Sequence, residues 1–152
     1  MHVLDRFLAT AHSIVYCSVA TVDRRGRPRS RVMHPVWRRE GDRLVGWVSA
    51  RSTPLKRAHL KHAPFVSCSY WDPRHDVAVA ECAAEWADED GRREAWNVFA
   101  ETPEPAGFDP ATIFPGPDAE DFAVLRFDPW RLRVAAAAEI AAGKPFAVWH
   151  AA

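Results

Sequence analysis

The 152 residues suffice for one domain with a real core and are too few for two, so a single domain over residues 1–152 is expected. Hydrophobic residues make up 48% and charged residues 26%, the composition of an ordinary folded chain, which argues against disorder. Lys and Arg total 20, as do Asp and Glu, so the formal net charge is zero. General binding of nucleic acid or anionic membrane needs excess basic charge, so any basic function here is local.

The first residues, Met1 to Ala9, show neither a basic start leading into an apolar stretch nor a cleavage signal. No segment approaches the roughly 20 apolar residues of a spanning helix. Cys17, Cys68 and Cys82 are odd in number, widely spaced and set among apolar neighbours. They read as reduced core thiols, which predicts a cytoplasmic location.

In chain order, residues 5–10 carry Phe7 and Leu8 beside Asp5 and Arg6, a pattern for a short amphipathic helix. Residues 13–22 are rich in β-branched residues and predict a strand, followed by the polar turn 23–27 with Gly26 and a returning strand over 29–38. A second turn at 40–42 leads to a third strand over 43–49. Ser52, Thr53 and Pro54 are a helix start, with Pro at the first helical position, and the helix should stop near His62, before Pro64. Strands follow over 65–71 and 77–86, then a helix over 92–102 with Trp96 and Phe99 on one face. Residues 103–117, rich in Pro and Gly, predict a long loop able to cover a site or a partner surface. Two strands, 122–127 and 130–138, should be broken at Asp128-Pro129, and 145–149 form an apolar tail. Six or more short strands with few helices predict a mainly β fold, a β-barrel, which also leaves few open edges.

The stretch from Arg31 to Lys56 holds the most chemistry. Alternation along the second strand puts Arg29, Arg31 and Met33 on one face. The third strand ends in Ser49, and the next turn sets Arg51, Ser52 and Thr53 at a helix start whose first turn carries Lys56. Backbone N–H groups, hydroxyls and cations at a helix start attract phosphate for separate reasons. The same residues also suit an ordinary capped helix with solvated charges.

The ordered motifs are Ser30-Arg31-Val32-Met33-His34-Pro35, Gly46-Trp47-Val48-Ser49, Ser52-Thr53-Pro54-Leu55-Lys56 and Ala63-Pro64-Phe65-Val66-Ser67. A weaker match runs from Arg126 to Val134. In this order they resemble the pyridoxamine 5′-phosphate oxidase-like split β-barrel superfamily. The resemblance implies an FMN-dependent oxidoreductase acting on a small-molecule substrate, or a relative using a deazaflavin coenzyme. It further implies a homodimer with the cofactor between subunits. Arg31, Ser49, Ser52 and Lys56, with Arg51 beside them, would then hold the phosphate, and the backbone of Val32, Met33, His34 and Pro35 would lie along the ring. His34 is a candidate proton donor. A non-catalytic flavin, deazaflavin or haem carrier or sensor shares the same resemblance.

The sequence also departs from authentic pyridoxamine phosphate oxidases. Val36 stands where they carry a second basic residue, Leu55-Lys56 replaces a basic pair, and the C-terminal stretch from Gly143 lacks their substrate-phosphate motif. These departures point to another substrate. Other signals are weaker. His59 and His62 are three residues apart on the predicted helix, but no nearby Cys or carboxylate completes a metal set. Arg24, Arg25, Arg27, Arg29 and Arg31 are split by strand alternation, which speaks against nucleic acid. Trp47, Trp71 and Trp149 are candidates for stacking on a ring.

Overall fold

The computed structural model describes the backbone of all 152 residues and every side chain except those of Leu55, Lys56 and His59. Leu4, Phe7 and Ala11 are buried on one face of α1 (Val3–Ile14), a helix longer than the one expected over 5–10. It ends at Val15, whose φ of 76° makes a tight bend in which the Tyr16 N–H donates to the Ile14 carbonyl at 3.0 Å. Ser13 and Ile14, expected in a strand, are therefore helical.

The first hairpin joins β1 (Cys17–Val22) and β2 (Pro28–Met33). Asp23 organises its turn: the buried carboxylate accepts the amides of Arg25 at 2.9 Å and Arg27 at 3.0 Å, and the Arg27 Nε at 2.9 Å. The single strand expected over 29–38 is interrupted at His34-Pro35. Pro35 has no N–H and restricts the residue before it, so β2 stops at Met33. The chain then crosses to the opposite end of the sheet, where β3 (Val36–Glu40) pairs with β4 (Arg43–Ser49).

Next come α2 (Pro54–His62), β5 (Phe65–Trp71) and β6 (Val77–Trp86), each within its expected bounds. The following helix, α3 (Glu89–Glu101), starts earlier than expected because Asp88 caps it, accepting the Gly91 N–H at 2.8 Å. The break expected at Asp128-Pro129 is instead a bulge in one long strand, β7 (Val124–Ala135). Arg131 pairs with Glu81 and Pro129 with Cys82, leaving Trp130 as the extra residue, so the proline sits where a ladder bond is already lost. A short α4 (Ala137–Ala141) leads to β8 (Ala147–His150), which turns the apolar tail into a strand on β7.

All pairings are antiparallel, in the order β2-β1-β5-β6-β7-β4-β3, with β8 also on β7. The fold is thus mainly β, an eight-stranded sheet with a few short helices. The two ends of the sheet path, β2 and β3, are joined by the His34-Pro35 crossing but do not pair, so the barrel is split there. Among the described residues, no helix is long and apolar enough to cross a membrane.

Strand alternation on β4 separates two cores. Leu44 and Val48 join α1 and the barrel interior, whereas Val45 and Trp47 face Ala95, Val98 and Phe99 of α3 together with Phe122. At the centre of the barrel, Phe7 meets Trp37 edge-on at 5.2 Å, and Trp37 Nε1 donates to the Tyr70 hydroxyl at 2.8 Å. Gly46 is required here because a Cβ would lie 2.7 Å from the Trp37 ring. Gly46→Ala is expected to destabilise by about 1–3 kcal/mol through overpacking. Phe7→Ala should cost about 3–5 kcal/mol through a cavity. Urea denaturation of both variants tests this packing, and a Gly46→Ala protein as stable as the parent would refute it.

Candidate functional site

The β1–β2 register sets Arg29, Arg31 and Met33 opposite Thr21, Val19 and Cys17, on the face that lines the barrel. Arg31 Nη1 donates to Thr21 Oγ1 at 2.7 Å and to the Val19 carbonyl at 3.2 Å. Both acceptors are neutral, and among the described residues no carboxylate lies within ion-pair distance of Arg31. Burial, and then the like charge of Arg29, pull its pKa below the ordinary arginine value. An anion placed against the guanidinium would relieve both effects.

Arg31 and Met33 line a narrow apolar slot with Val19, Leu60, Val66 and Phe127. Its volume of about 30 Å³ is room for roughly one water molecule, so a fused ring system cannot enter it. Val32, on the opposite face of β2, is 72% exposed. Because β2 ends the sheet path, its outer edge offers backbone donors and acceptors that no strand takes up.

At the end of β2, His34 Nε2 lies 2.6 Å from the Ala106 carbonyl, so this nitrogen carries the proton and donates it. The ring sits between Tyr16, at 5.3 Å, and Phe108, at 5.6 Å. Phe108 in turn stacks on Phe99 at 4.8 Å. His34 thus fastens the 103–117 loop to the strand junction, and the proton on Nε2 is committed to that clasp. Nearby, His12 Nε2 accepts the Trp37 N–H at 3.0 Å.

Ser49, Arg51 and Ser52 line a second, larger cleft of about 510 Å³ with Phe114, Glu120 and Asp121. The Ser52 hydroxyl accepts the Arg57 Nε at 2.5 Å, and the Arg57 guanidinium lies 5.1 Å over the Trp86 ring. Residues expected to act together are therefore placed on two clefts, Arg31 and Met33 on one and Ser49, Arg51 and Ser52 on the other. Lys56 belongs to the first turn of α2, but its side chain lies outside those described, as does that of His59.

Of the three tryptophans considered for stacking, Trp47 is only 2% exposed and lies under the Arg126 guanidinium, so it is a core residue. Trp149 packs against the barrel core, and Trp71 is exposed beside His75, at 5.5 Å. The three cysteines are free and buried. The hydrogen bond that the Cys17 thiol donates to Cys68, and then burial, push the Cys17 thiol up. Among the described residues, no group of three or more His, Cys, Asp or Glu is arranged to hold a metal ion.

No family model matches the chain, and no curated protein matches it. Solved structures do. A Clostridium acetobutylicum protein related to general stress protein 26 of Bacillus subtilis, of the pyridoxine-phosphate oxidase family, is 16% identical with a TM-score of 0.67. The alignment covers 96% of this chain and 95% of that one. A pyridoxamine 5′-phosphate oxidase-related, FMN-binding protein from Nostoc punctiforme is 17% identical, with a TM-score of 0.62 over 99% of this chain and 88% of that one. A haem-binding protein from Mycobacterium smegmatis is 16% identical, with a TM-score of 0.62 over 99% of this chain and 58% of that one. The chain has the pyridoxamine 5′-phosphate oxidase-like split-barrel fold.

Several features of this split barrel escaped the sequence. The Thr21 and Val19 partners of Arg31 follow from the hairpin register, which the turn length alone left open. The pairing of Ser52 with Arg57 spans little more than one helical turn and was legible in principle. The clasp between His34 and Ala106 joins residues 72 positions apart and had no sequence signal.

The histidine beside this clasp makes stability depend on pH. Burial, and then the charge of His34, hold the His12 pKa below its ordinary value of 6.5, and the lone pair that takes the Trp37 N–H exists only in the neutral ring. As pH falls below 6.5 the unfolded chain takes up this proton before the folded one does. Stability is therefore lost on acidification, and the slope ends below the folded pKa. His12→Gln should flatten the acid limb of the denaturation midpoint relative to the parent; parallel limbs would exclude His12 as the source.

Proposed function

We propose that this chain, acting as one domain over residues 1–152, binds a flavin phosphate, FMN or a deazaflavin relative, and serves as an oxidoreductase for a small molecule. The observation that carries this reading is Arg31: a half-buried guanidinium, bonded among the described residues only to a hydroxyl and a carbonyl, with a like charge behind it. Such a group fits a phosphate. Ser49, Arg51 and Ser52, with Lys56, are the further donors of this proposal, and Arg57 joins them through Ser52. They reach the same phosphate only if it lies at the mouth of the Arg31 slot, between the two clefts.

When bound, the flavin would supply the hydride or electron chemistry. The chain's part is to hold and shield it. The slot at Arg31 is too small for the ring, so the ring must lie along the open edge of β2, by the backbone of Val32, Met33, His34 and Pro35. One side of a ring held there is bare in a single copy. The outer face beside that edge carries Ser18, Ala20, Val32, Ser67 and Ser69, small or apolar side chains on paired strands. Phe65, 57% exposed, extends this face. A second copy on this face would cover the ring, which supports a homodimer with the cofactor at the subunit interface. The 103–117 loop, fastened through His34, is placed to limit substrate access. The buried free thiols suit a reducing cytoplasm.

The haem-binding neighbour favours a second reading, a carrier or sensor without turnover. Haem would need an imidazole nitrogen free to ligate iron: Nε2 of His12 and of His34 is already engaged, while the exposed His62 and His75 are candidates. The absorbance spectrum of the purified protein, and after incubation with each cofactor, separates flavin, deazaflavin and haem. In an FMN titration followed by flavin fluorescence, Arg31→Ala is expected to weaken binding by roughly tenfold or more, the scale of a lost charged hydrogen bond. Unchanged affinity would overturn the phosphate site. For the interface, Ala20→Arg should shift the protein from dimer to monomer in light scattering and lower FMN affinity with it.

A further inference from the structure

The arginines of the β1–β2 hairpin are not absorbed by the Arg31 site. Asp23 spends its buried carboxylate on the turn itself, holding the Arg25 and Arg27 amides and the Arg27 Nε, with Arg29 Nη1 at 4.0 Å. Arg24 and Arg25 at the tip are exposed, and among the described residues neither has a carboxylate within ion-pair distance. Across from them α2 presents Lys61 and His62, also exposed, and Lys61 likewise has no carboxylate at that range.

Two open depressions lie between the hairpin and α2. One, of about 480 Å³, is lined by Arg24, Arg25, Arg27 and Arg29 with Pro54 and Ala58. The other, of about 400 Å³, is lined by Arg24, Ala58, Lys61 and His62. They share Arg24 and Ala58 and so form one groove. Among the described residues five cationic side chains line it against the single carboxylate of Asp23, a local excess of four positive charges in a chain whose net charge is zero. Asp23 pins the backbone of the hairpin tip, so the arginine stems leave from fixed positions around the groove. The local excess of positive charge favours a counter-charge there.

We propose that this groove is a second anion site that binds a small polyanion with three or more closely spaced charges, of the triphosphate or polycarboxylate class. The groove is short, about the length of the nine-residue α2 or roughly 13 Å, which suits such a ligand better than a nucleic acid strand. Among the described residues its apolar lining is the small side chain of Ala58 and the ring of Pro54, which leaves the contacts to the cationic side chains. Among the described residues no Phe, Tyr or Trp lines it, so it offers no broad base-stacking platform. This polyanion is a ligand separate from the phosphate compound held at Arg31.

Isothermal titration with inorganic tripolyphosphate, against orthophosphate as reference, tests the site without any flavin. Tripolyphosphate should bind more tightly than orthophosphate and weaken as salt rises. The double variant Arg24→Glu/Lys61→Glu reverses one charge on each wall and should lower its affinity by roughly tenfold or more. The milder Arg24→Gln/Lys61→Gln should show an intermediate loss, and Arg38→Glu, far from the groove, should show none. Melting curves confirm that each variant is folded. Equal affinity of parent and both double variants overturns the site, whatever FMN does. Tighter binding of a single-stranded RNA oligonucleotide than of tripolyphosphate, with the same loss on charge reversal, overturns the small-ligand assignment. With FMN bound, undiminished tripolyphosphate binding supports a separate site in the groove, and mutual exclusion places tripolyphosphate at Arg31 and overturns the groove.

Discussion

The register of β2 on β1 is the constraint on which the rest of the molecule depends. Strand side chains alternate, so a slip of one residue would turn Arg31 outward and bring Val32 into the barrel. Asp23 prevents that slip. Its carboxylate ties down two amides and a guanidinium in the turn, and the pairing from Val22 opposite Pro28 to Cys17 opposite Met33 follows without irregularity. The Arg27 amide is the first of the groups that hold this carboxyl below its ordinary range, so the turn keeps its charge through the neutral range. A residue with no direct part in ligand binding thereby decides which face the cation occupies.

Two further devices leave that cation accessible. Pro35 ends β2 and sends the chain across the barrel, so the outer edge of β2 stays open. The β7 bulge at Trp130 lets one strand bend far enough to pair with β4 along its first half and β8 along its second. The barrel closes tightly on the α1 side, around Phe7, Trp37 and Tyr70, and stays split on the side where Arg31 stands. Stability and ligand access are therefore supplied by different parts of one sheet. The same division explains why β4 is buried on both faces: Val48 serves the barrel, and Trp47 serves the second core beneath α3.

Most strands were legible in the sequence because short apolar runs between Gly, Pro and Asp turns carry a local signal. The bounds of β4, α2, β5 and β6 follow from that signal alone. What the sequence hid is non-local. Ser13 and Ile14 look like strand residues, yet Phe7 and Ala11 anchor a helix that carries them along. Asp128-Pro129 looks like a strand break, yet flanking pairs on β6 hold the strand through it. Within the candidate site, the common face of Arg29 and Arg31 was readable from alternation. The division of Arg31 and Ser52 between two clefts was not, because it depends on where α2 and the 103–117 loop settle on the sheet.

The charge balance carries a last consequence. A chain with zero net charge could pair its arginines with carboxylates, and over much of this surface it does: Arg38 with Glu101, Arg93 with Glu89, Arg74 with Asp72. Along β2 and its turn it does not, since one carboxylate, Asp23, faces the arginines at 27 and 29 and none faces Arg31. Exposed pairs contribute little to stability, so their absence at an exposed tip is easily tolerated. Arg31 differs because it is half-buried, where an unpaired cation costs more. The fold maintains that cost by making Arg31 the cross-strand partner of Val19, in a register that Asp23 enforces. Unrelieved positive charge on the inner face of β2 is thus a property of the hairpin itself, present before any ligand arrives.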